Sequence, residues 1–253
     1  MYGLVFWREG KTLASCGTDK AVTLWDVASG DKLKAMAKGD QSVCLLRYSP
    51  DGKSLAVTAV REASVAIYDV GSGKLRHTLK GESGVVLAMA FAPDSKTVAT
   101  ASEDASIRLW DATEGTEKDS FKAHDGAVTS VAFAPDGKSL VSGGGDKTVI
   151  LWNIKTGNVR KPVLEGHTSG VVLVALLPDG QVLSRAQGGG MRLWRHPAKD
   201  AAALAKDVKT LLVFGTYYPT EMALTADGNT YVTASGNDVH VWDLSKCLGE
   251  KPK

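Results

Sequence analysis

The feature that most constrains this chain is a repeat. An aromatic followed by a polar residue recurs as Trp25-Asp26, Tyr68-Asp69, Trp110-Asp111, Trp152-Asn153, Trp194-Arg195 and Trp242-Asp243, at spacings of 43, 42, 42, 42 and 48. A second, independent marker keeps step with it: the pairs Glu9-Gly10, Asp51-Gly52, Asp94-Ser95, Asp136-Gly137, Asp179-Gly180 and Asp227-Gly228. The unit from His124 to Asn153 shows what is repeated. An apolar run (Val128 to Ala134) meets a Pro135-Asp136-Gly137 turn. A second run (Ser139 to Ser142) meets a glycine-rich turn ending in Asp146-Lys147, and a third run (Thr148 to Trp152) follows. Asp-Gly supplies the φ > 0 geometry of tight hairpins, so each unit reads as short antiparallel strands joined by turns.

A period near 42 with four short strands per unit predicts an all-β fold, a β-propeller of six four-stranded blades. Helical solenoids of similar period need amphipathic helices, and the sequence shows none at the repeat spacing. The expected organisation is a single propeller domain over 1–253, with blade units ending near 37, 79, 123, 165, 214 and 253. The fifth unit carries six extra residues in Arg195 to Lys209. Its alanines and the early Pro197 predict a helical turn or two, after which Leu211 to Phe214 resumes as the outer strand. The ten residues after Asp243, LSKCLGEKPK, leave little for a last outer strand. Two readings of the ends stay open: six blades that close weakly, or a piece of a longer propeller. Both make the contact between units six and one the weakest of the ring, and an open blade edge invites self-association.

On these markers the chain resembles the WD-repeat family of β-propellers, over almost its whole length. The resemblance implies a hydrogen-bonded tetrad in each unit: a His before the first strand, a Ser or Thr on the second, an Asp in the next turn and the Trp on the third. His124, Ser142, Asp146 and Trp152 make one complete set. The physical need is that a buried indole N–H must find an acceptor, and a chain of satisfied groups locks the strands in register. Other units depart from the pattern. The first has Ser15, Asp19 and Trp25; the second Thr58 and Tyr68, with Glu62 at the Asp position. The third has Thr100, Asp104 and Trp110, with Glu82 for His. The fifth has His167, Ser184 and Trp194, with Gly188 for Asp; the sixth keeps Thr233 and Trp242, with Asn237 near the Asp slot.

Composition narrows the functional classes. The chain has 253 residues, 43% hydrophobic, with a formal charge of +2, and its Lys and Arg are interspersed with Asp and Glu. No basic stripe points to nucleic acid or to a membrane surface, and the longest apolar runs, such as Val85 to Ala92, are too short to span a bilayer as a helix. Cys16, Cys44 and Cys247 are widely spaced and odd in number, with no disulfide framework and no Cys-x-x-Cys metal pattern. The expected compartment is cytoplasmic. The clusters Gly143-Gly144-Gly145 and Gly188-Gly189-Gly190 lack the P-loop pattern and open no helix, so they read as hairpin turns. His77, His196 and His240 share no short metal-ligand spacing with other His or Cys residues, and no catalytic signature is present. No cofactor is expected.

The favoured function is therefore a non-catalytic interaction scaffold that binds a protein or peptide partner, which is what the resemblance implies. Two alternatives stand beside it: a propeller enzyme with its site at the channel mouth, and a regulatory segment of a larger multidomain protein. The partner surface is expected at the end of the ring that carries the tetrad Asp turns. Those turns contribute Thr18, Arg61, Glu103, Lys147 and Gln187; the loops before each first strand contribute Gln41, Ser83, Asp125, Ser169, Tyr217 and Tyr218. Within that ring, Arg61, Glu103, Gln187, Tyr217 and Tyr218 are the expected partner-binding residues, because large amphipathic rings and Arg are enriched at binding hot spots.

Overall fold

The structure is a computed structural model, and it describes residues 3–7, 10–38, 43–59, 61–81, 83–154, 158–177, 180–188, 190–194, 208–211, 221–224, 230–235 and 238–243. Twenty-three strands, and no helix, lie among them. The first sheet is β1 (Gly3–Trp7), β2 (Thr12–Cys16), β3 (Ala21–Asp26) and β4 (Lys32–Lys38). The second is β5 (Val43–Tyr48), β6 (Ser54–Ala59), β7 (Ser64–Asp69) and β8 (Leu75–Lys80). The third is β9 (Val86–Phe91), β10 (Thr97–Ser102), β11 (Ser106–Asp111) and β12 (Thr116–Lys122). The fourth is β13 (Val128–Phe133), β14 (Ser139–Gly144), β15 (Val149–Asn153) and β16 (Asn158–Leu164). The fifth is β17 (Val171–Leu176), β18 (Val182–Ala186), β19 (Met191–Trp194) and β20 (Val208–Leu211). The last holds three strands among the described residues, β21 (Glu221–Leu224), β22 (Thr230–Ser235) and β23 (Asp238–Asp243). Every sheet is an antiparallel meander whose neighbours in sequence are neighbours in space, which is the blade of a propeller.

One strand boundary differs from the sequence reading. The outer strand of the fifth sheet already runs over Val208–Leu211, so Val208 and Lys209 are extended and not part of a helical turn; of the expected Leu211 to Phe214, residues 212–214 lie outside the described residues. Pairing decides this: Trp194 sits opposite Val208 and Met191 opposite Leu211, a register that satisfies the free edge of β19. The remainder of the alanine-rich insertion lies outside the described residues, as does the tail after Asp243.

The core lies between sheets. Ala99, Ala101, Ile107 and Leu109 of the third sheet pack against Val128, Val131, Leu140, Ile150 and Trp152 of the fourth. Val141, Val149 and Leu151 of the fourth receive Val171, Val174 and Trp194 of the fifth. Strand alternation explains the arrangement, because every second residue of an inner strand points back at the preceding sheet. Leu46, Met89, Val131 and Val174, each paired with the tetrad position of its own sheet, are all at most 7% exposed. Burial of each such side chain contributes about 1.5–3 kcal/mol. Leu4 has the same register opposite Ser15 but is 50% exposed, and Phe6 is 59% exposed. The face of β1 that corresponds to the backward-packing faces of β5, β9, β13 and β17 is thus uncovered.

Candidate functional site

In the fourth sheet the tetrad is a continuous hydrogen-bonded chain. Trp152 Nε1–H donates to Ser142 Oγ at 2.8 Å, and Ser142 Oγ lies 2.7 Å from His124 Nε2. His124 Nδ1 lies 3.0 Å from both Asp146 oxygens and from Thr148 Oγ1. Asp146 also accepts the N–H groups of Thr148 and Asp125, both at 3.0 Å. The donors fix the proton positions: Ser142 accepts from the indole, donates its own proton to His124 Nε2, and leaves Nδ1–H to face the carboxylate. The turn closes because Lys147, at φ 73, takes the left-handed conformation that follows the Asp.

The other sheets keep parts of this chain. Trp110 Nε1–H donates to Thr100 Oγ1 at 2.8 Å, Trp194 to Ser184 Oγ at 2.7 Å and Trp25 to Ser15 Oγ at 2.8 Å. In the fifth sheet His167 Nε2 is 2.7 Å from Ser184 Oγ, and Gly188 stands where Asp146 stands in the fourth. In the third, Asp104 accepts N–H groups from Ser106 (2.9 Å) and Ser83 (3.2 Å), and Arg108 reaches it at 3.2 Å. The expected occupant of the His position there, Glu82, lies outside the described residues. The side chains of Thr233, Trp242 and Asn237 are likewise outside them.

The second sheet corrects the sequence reading. Leu55 pairs with Tyr68, so the tetrad position two residues on is Val57, opposite Ala66, and not Thr58. The Thr58 hydroxyl donates to the Ser64 carbonyl at 2.9 Å instead. The turn from Val57 to Tyr68 is one residue longer than its counterparts. The physical reason is that Tyr68 has no indole N–H to satisfy, so this position is free to be apolar and packs in the core with Leu46 and Leu55.

In the third, fourth and fifth sheets the tetrad Asp turns and the loops before the first strands are joined into a rim. Glu103 N–H donates to the Val85 carbonyl at 2.9 Å, Gly145 N–H to Ala127 at 2.9 Å and Gln187 N–H to Gly170 at 2.8 Å. Neighbouring sheets are stitched along the same rim by Val86 N–H on the Glu62 carbonyl at 3.0 Å. On this fixed backbone the side chains of Thr18, Arg61, Ser83, Glu103, Asp125, Lys147 and Gln187 are exposed, and Ser169 is half-buried. Arg61, Glu103 and Gln187 thus occupy corresponding turns of the second, third and fifth sheets. Arg61, at φ 60, occupies the left-handed position of the lengthened second turn. Gln41, Tyr217 and Tyr218 lie outside the described residues.

Electrostatics separates the two histidines. Burial pushes the His124 pKa down from 6.5, and the charge and hydrogen bond of Asp146 oppose that fall. Burial would push the Asp146 carboxyl up, but the Thr148 and Asp125 donors outweigh it and hold it down. Asp104 is held at about 2: burial opposes, while Ser106, Arg108 and the Ser83 N–H prevail. His167 has no opposing carboxylate; burial and then the positive Arg192 push it down to about 4. A histidine whose folded pKa lies below its unfolded value stabilises the fold above the unfolded pKa, and that stability is lost as pH falls through the folded one. Lowering the pH from 6.5 to 4 should therefore cost about 1–2 kcal/mol at His167, a figure already reduced for solvent reaching the ring past exposed Thr168 and Gly188. Urea unfolding across that window checks it: His167→Gln should flatten the slope, and an unchanged slope would show that the ring does not charge on unfolding.

Three contributors were not picked out from the sequence. Thr148 lies four residues before its Trp, where Ser106 and Ser64 also lie, and that recurrence of hydroxyls was a usable signal. Arg108 and Arg192 both lie two residues before their Trp. Arg192 rests over the Trp194 ring, 5.7 Å from its centroid. Beside the fourth tetrad an open cleft of about 310 Å³ is lined by Lys122, His124, Asp125, Asp146 and Glu165. Among the described residues no group of three or more His, Cys, Asp or Glu could hold a metal ion.

Comparison with known proteins agrees with this geometry. The family model for the WD domain, G-beta repeat, matches residues 73–111 and 115–153. Each match runs from an outer strand, β8 or β12, through three strands of the next sheet, so it ends at the Trp-Asp or Trp-Asn pair. The model for the anaphase-promoting complex subunit 4 WD40 domain matches residues 32–91. A chain in the crystal structure of the mitotic checkpoint complex superposes with a TM-score of 0.81 at 23% identity, over 95% of this chain and 73% of that one. At that identity the likeness is one of fold. Matching solved chains number 1843, so the fold likeness selects no single partner. No curated protein matches the chain. The protein belongs to the class of all-β propellers. Within that class the two family models, over residues 32–91, 73–111 and 115–153, support a WD-repeat family.

Proposed function

We propose that this protein is a non-catalytic scaffold that presents the rim of tetrad Asp turns to a protein or peptide partner. The observation that carries the reading is the rim itself. Exposed Arg61, Glu103, Lys147 and Gln187 sit on backbone tied by hydrogen bonds to the neighbouring loops, so a partner orders little on binding. WD-repeat propellers commonly serve as protein-interaction scaffolds, and the superposing chain comes from a protein complex; both support the reading, as does the absence of a catalytic signature in the sequence. A cytoplasmic location goes with this proposal.

The test compares stability with capture. Arg61→Ala, Glu103→Ala and Gln187→Ala remove exposed side chains, so each should change stability by less than about 0.5 kcal/mol. Partners captured from lysate by the parent protein should be lost to the combined variant. Tyr217→Ala and Tyr218→Ala extend the same comparison to the sixth unit. Capture that survives all five substitutions would move the partner surface off this rim.

A further inference from the structure

We infer that the fifth sheet carries a notch for a carboxylate presented by a partner, on the place that an aspartate of the chain itself fills in the third and fourth sheets. The fourth sheet shows how that place is built. Asp146 Oδ1 accepts Thr148 N–H, Oδ2 accepts Asp125 N–H, and His124 Nδ1 faces both oxygens, all at 3.0 Å. In the third sheet Asp104 receives the corresponding N–H groups of Ser106 and Ser83, and Arg108 supplies the cation. Pairing of Ser184 with Arg192, like that of Thr100 with Arg108, puts the fifth sheet in the same register.

The fifth sheet keeps the donors and omits the acceptor. Gly190 stands for Thr148, Thr168 for Asp125, His167 for His124 and Arg192 for Arg108, whereas Gly188 stands for the Asp. The same hydrogen bond closes the turn: Ala186 N–H donates to the Gly190 carbonyl at 2.9 Å, as Gly144 does to Thr148 at 3.2 Å. The link from Gln187 to Gly170 repeats that from Gly145 to Ala127. Among the described residues neither Gly190 N–H nor Thr168 N–H donates a hydrogen bond. His167 Nε2 is taken by Ser184, whose oxygen already accepts from Trp194, so the ring proton sits on Nδ1, the edge that faces Asp146 in the fourth sheet.

Space and access agree. The backbone at Gly188 is not left-handed, and a Cβ there would meet only Ser169 Oγ, at 3.4 Å, which is ordinary contact. A carboxyl side chain at this position is therefore admissible, and the glycine is not there for lack of room. The Asp104 and Asp146 side chains are 18% and 16% exposed, so the place they fill lies just beneath the surface. Thr168, Gly188 and Gly190 are exposed around it. In the third sheet two N–H groups and a guanidinium hold the planar carboxylate of an Asp; the fifth keeps both N–H positions, and Arg192, whose charge reaches His167, stands at the register position of Arg108. That the carboxylate comes from a partner protein rests on the proposed rim surface, since the notch opens onto that rim.

The experiment uses the whole chain and two tripeptides, Ac-Gly-Glu-Gly-NH2 and Ac-Gly-Gln-Gly-NH2, with inorganic phosphate as a third probe. Amide resonances of Thr168 and Gly190 report site by site. The glutamate peptide should move both downfield and saturate, and the glutamine peptide should bind at least about tenfold more weakly. Gly188→Asp should abolish binding by supplying the carboxylate from within, and Arg192→Met should weaken it by about tenfold. No shift with the glutamate peptide, or the same shift in Gly188→Asp, overturns the notch; so does binding untouched by Arg192→Met should the first variant not fold. Tighter binding of phosphate overturns the assignment to a carboxylate. A notch that binds the peptide while the rim substitutions leave capture intact sinks the rim reading alone.

Discussion

Trp152→Ala is expected to lower the free energy of unfolding by about 3–5 kcal/mol. The side chain is 3% exposed and belongs to the core between the third and fourth sheets, with Ile107 and Leu109 on one side and Leu140 and Ile150 on the other. Phe121 of the outer strand β12 lies 4.7 Å from its ring. Truncation leaves a cavity walled by two sheets that are each fixed by their own ladders, so the site cannot collapse to fill it. Trp152→Phe separates the two parts of the loss. It keeps most of the apolar contact but deletes the N–H that Ser142 accepts, at a cost of about 1–2 kcal/mol. Trp25 makes the same hydrogen bond but is half-buried, so Trp25→Ala should cost less. Urea unfolding of the three variants checks the order. A Phe variant as damaged as the Ala variant would mean that the hydrogen bond and not the packing dominates.

Much of the fold was legible because two markers repeat and each has a physical cause. The Asp-Gly turn is written in the sequence by the need for φ > 0, as at Gly52, Gly137 and Gly180. The Trp at the end of the third strand is written by a buried N–H seeking a hydroxyl, met by Ser15, Thr100, Ser142 and Ser184. Where one cause lapses the reading slips. Tyr68 needs no such hydroxyl, so nothing in composition distinguished Val57 from its polar neighbour Thr58; only the pairing of Leu55 with Tyr68 does. The outer strand of the fifth sheet begins three residues before the expected Leu211 for a related reason. It has no repeat marker of its own, and its register is set by the partner edge of β19.

The candidate site was legible residue by residue but not as a circuit. His124, Ser142, Asp146 and Trp152 followed from the resemblance to WD repeats, whereas the part played by Thr148 depends on its hydroxyl lying 3.0 Å from His124 Nδ1. The fifth sheet makes the same point in reverse. The sequence places Gly188 at the Asp position of the fifth unit, and only the structure shows the donor positions retained around it. The consequence for His167 is electrostatic: the same imidazole–serine pair that Asp146 balances in the fourth sheet faces Arg192 unopposed in the fifth.

Ser142→Ala is expected to cost about 2–4 kcal/mol, more than the loss of one hydroxyl elsewhere. The Ser142 oxygen is the only link between Trp152 and His124 in this chain of contacts, and the residue is fully buried. Its removal leaves two buried groups without a partner, an N–H and an imidazole nitrogen, each costing about 1–3 kcal/mol. The strain passes on, because His124 held at only one edge orients less firmly toward Asp146, whose oxygens also anchor the Asp125 and Thr148 N–H groups. Ser184→Ala strands the same two kinds of group but has no carboxylate behind the histidine, so its loss should be somewhat smaller. Ser15→Ala strands only the Trp25 N–H, at about 1 kcal/mol. Denaturant unfolding should therefore rank the three variants Ser142, Ser184, Ser15 in decreasing damage. Equal losses would mean that the indole N–H alone sets the cost and that the His–Asp part of the tetrad adds no stability.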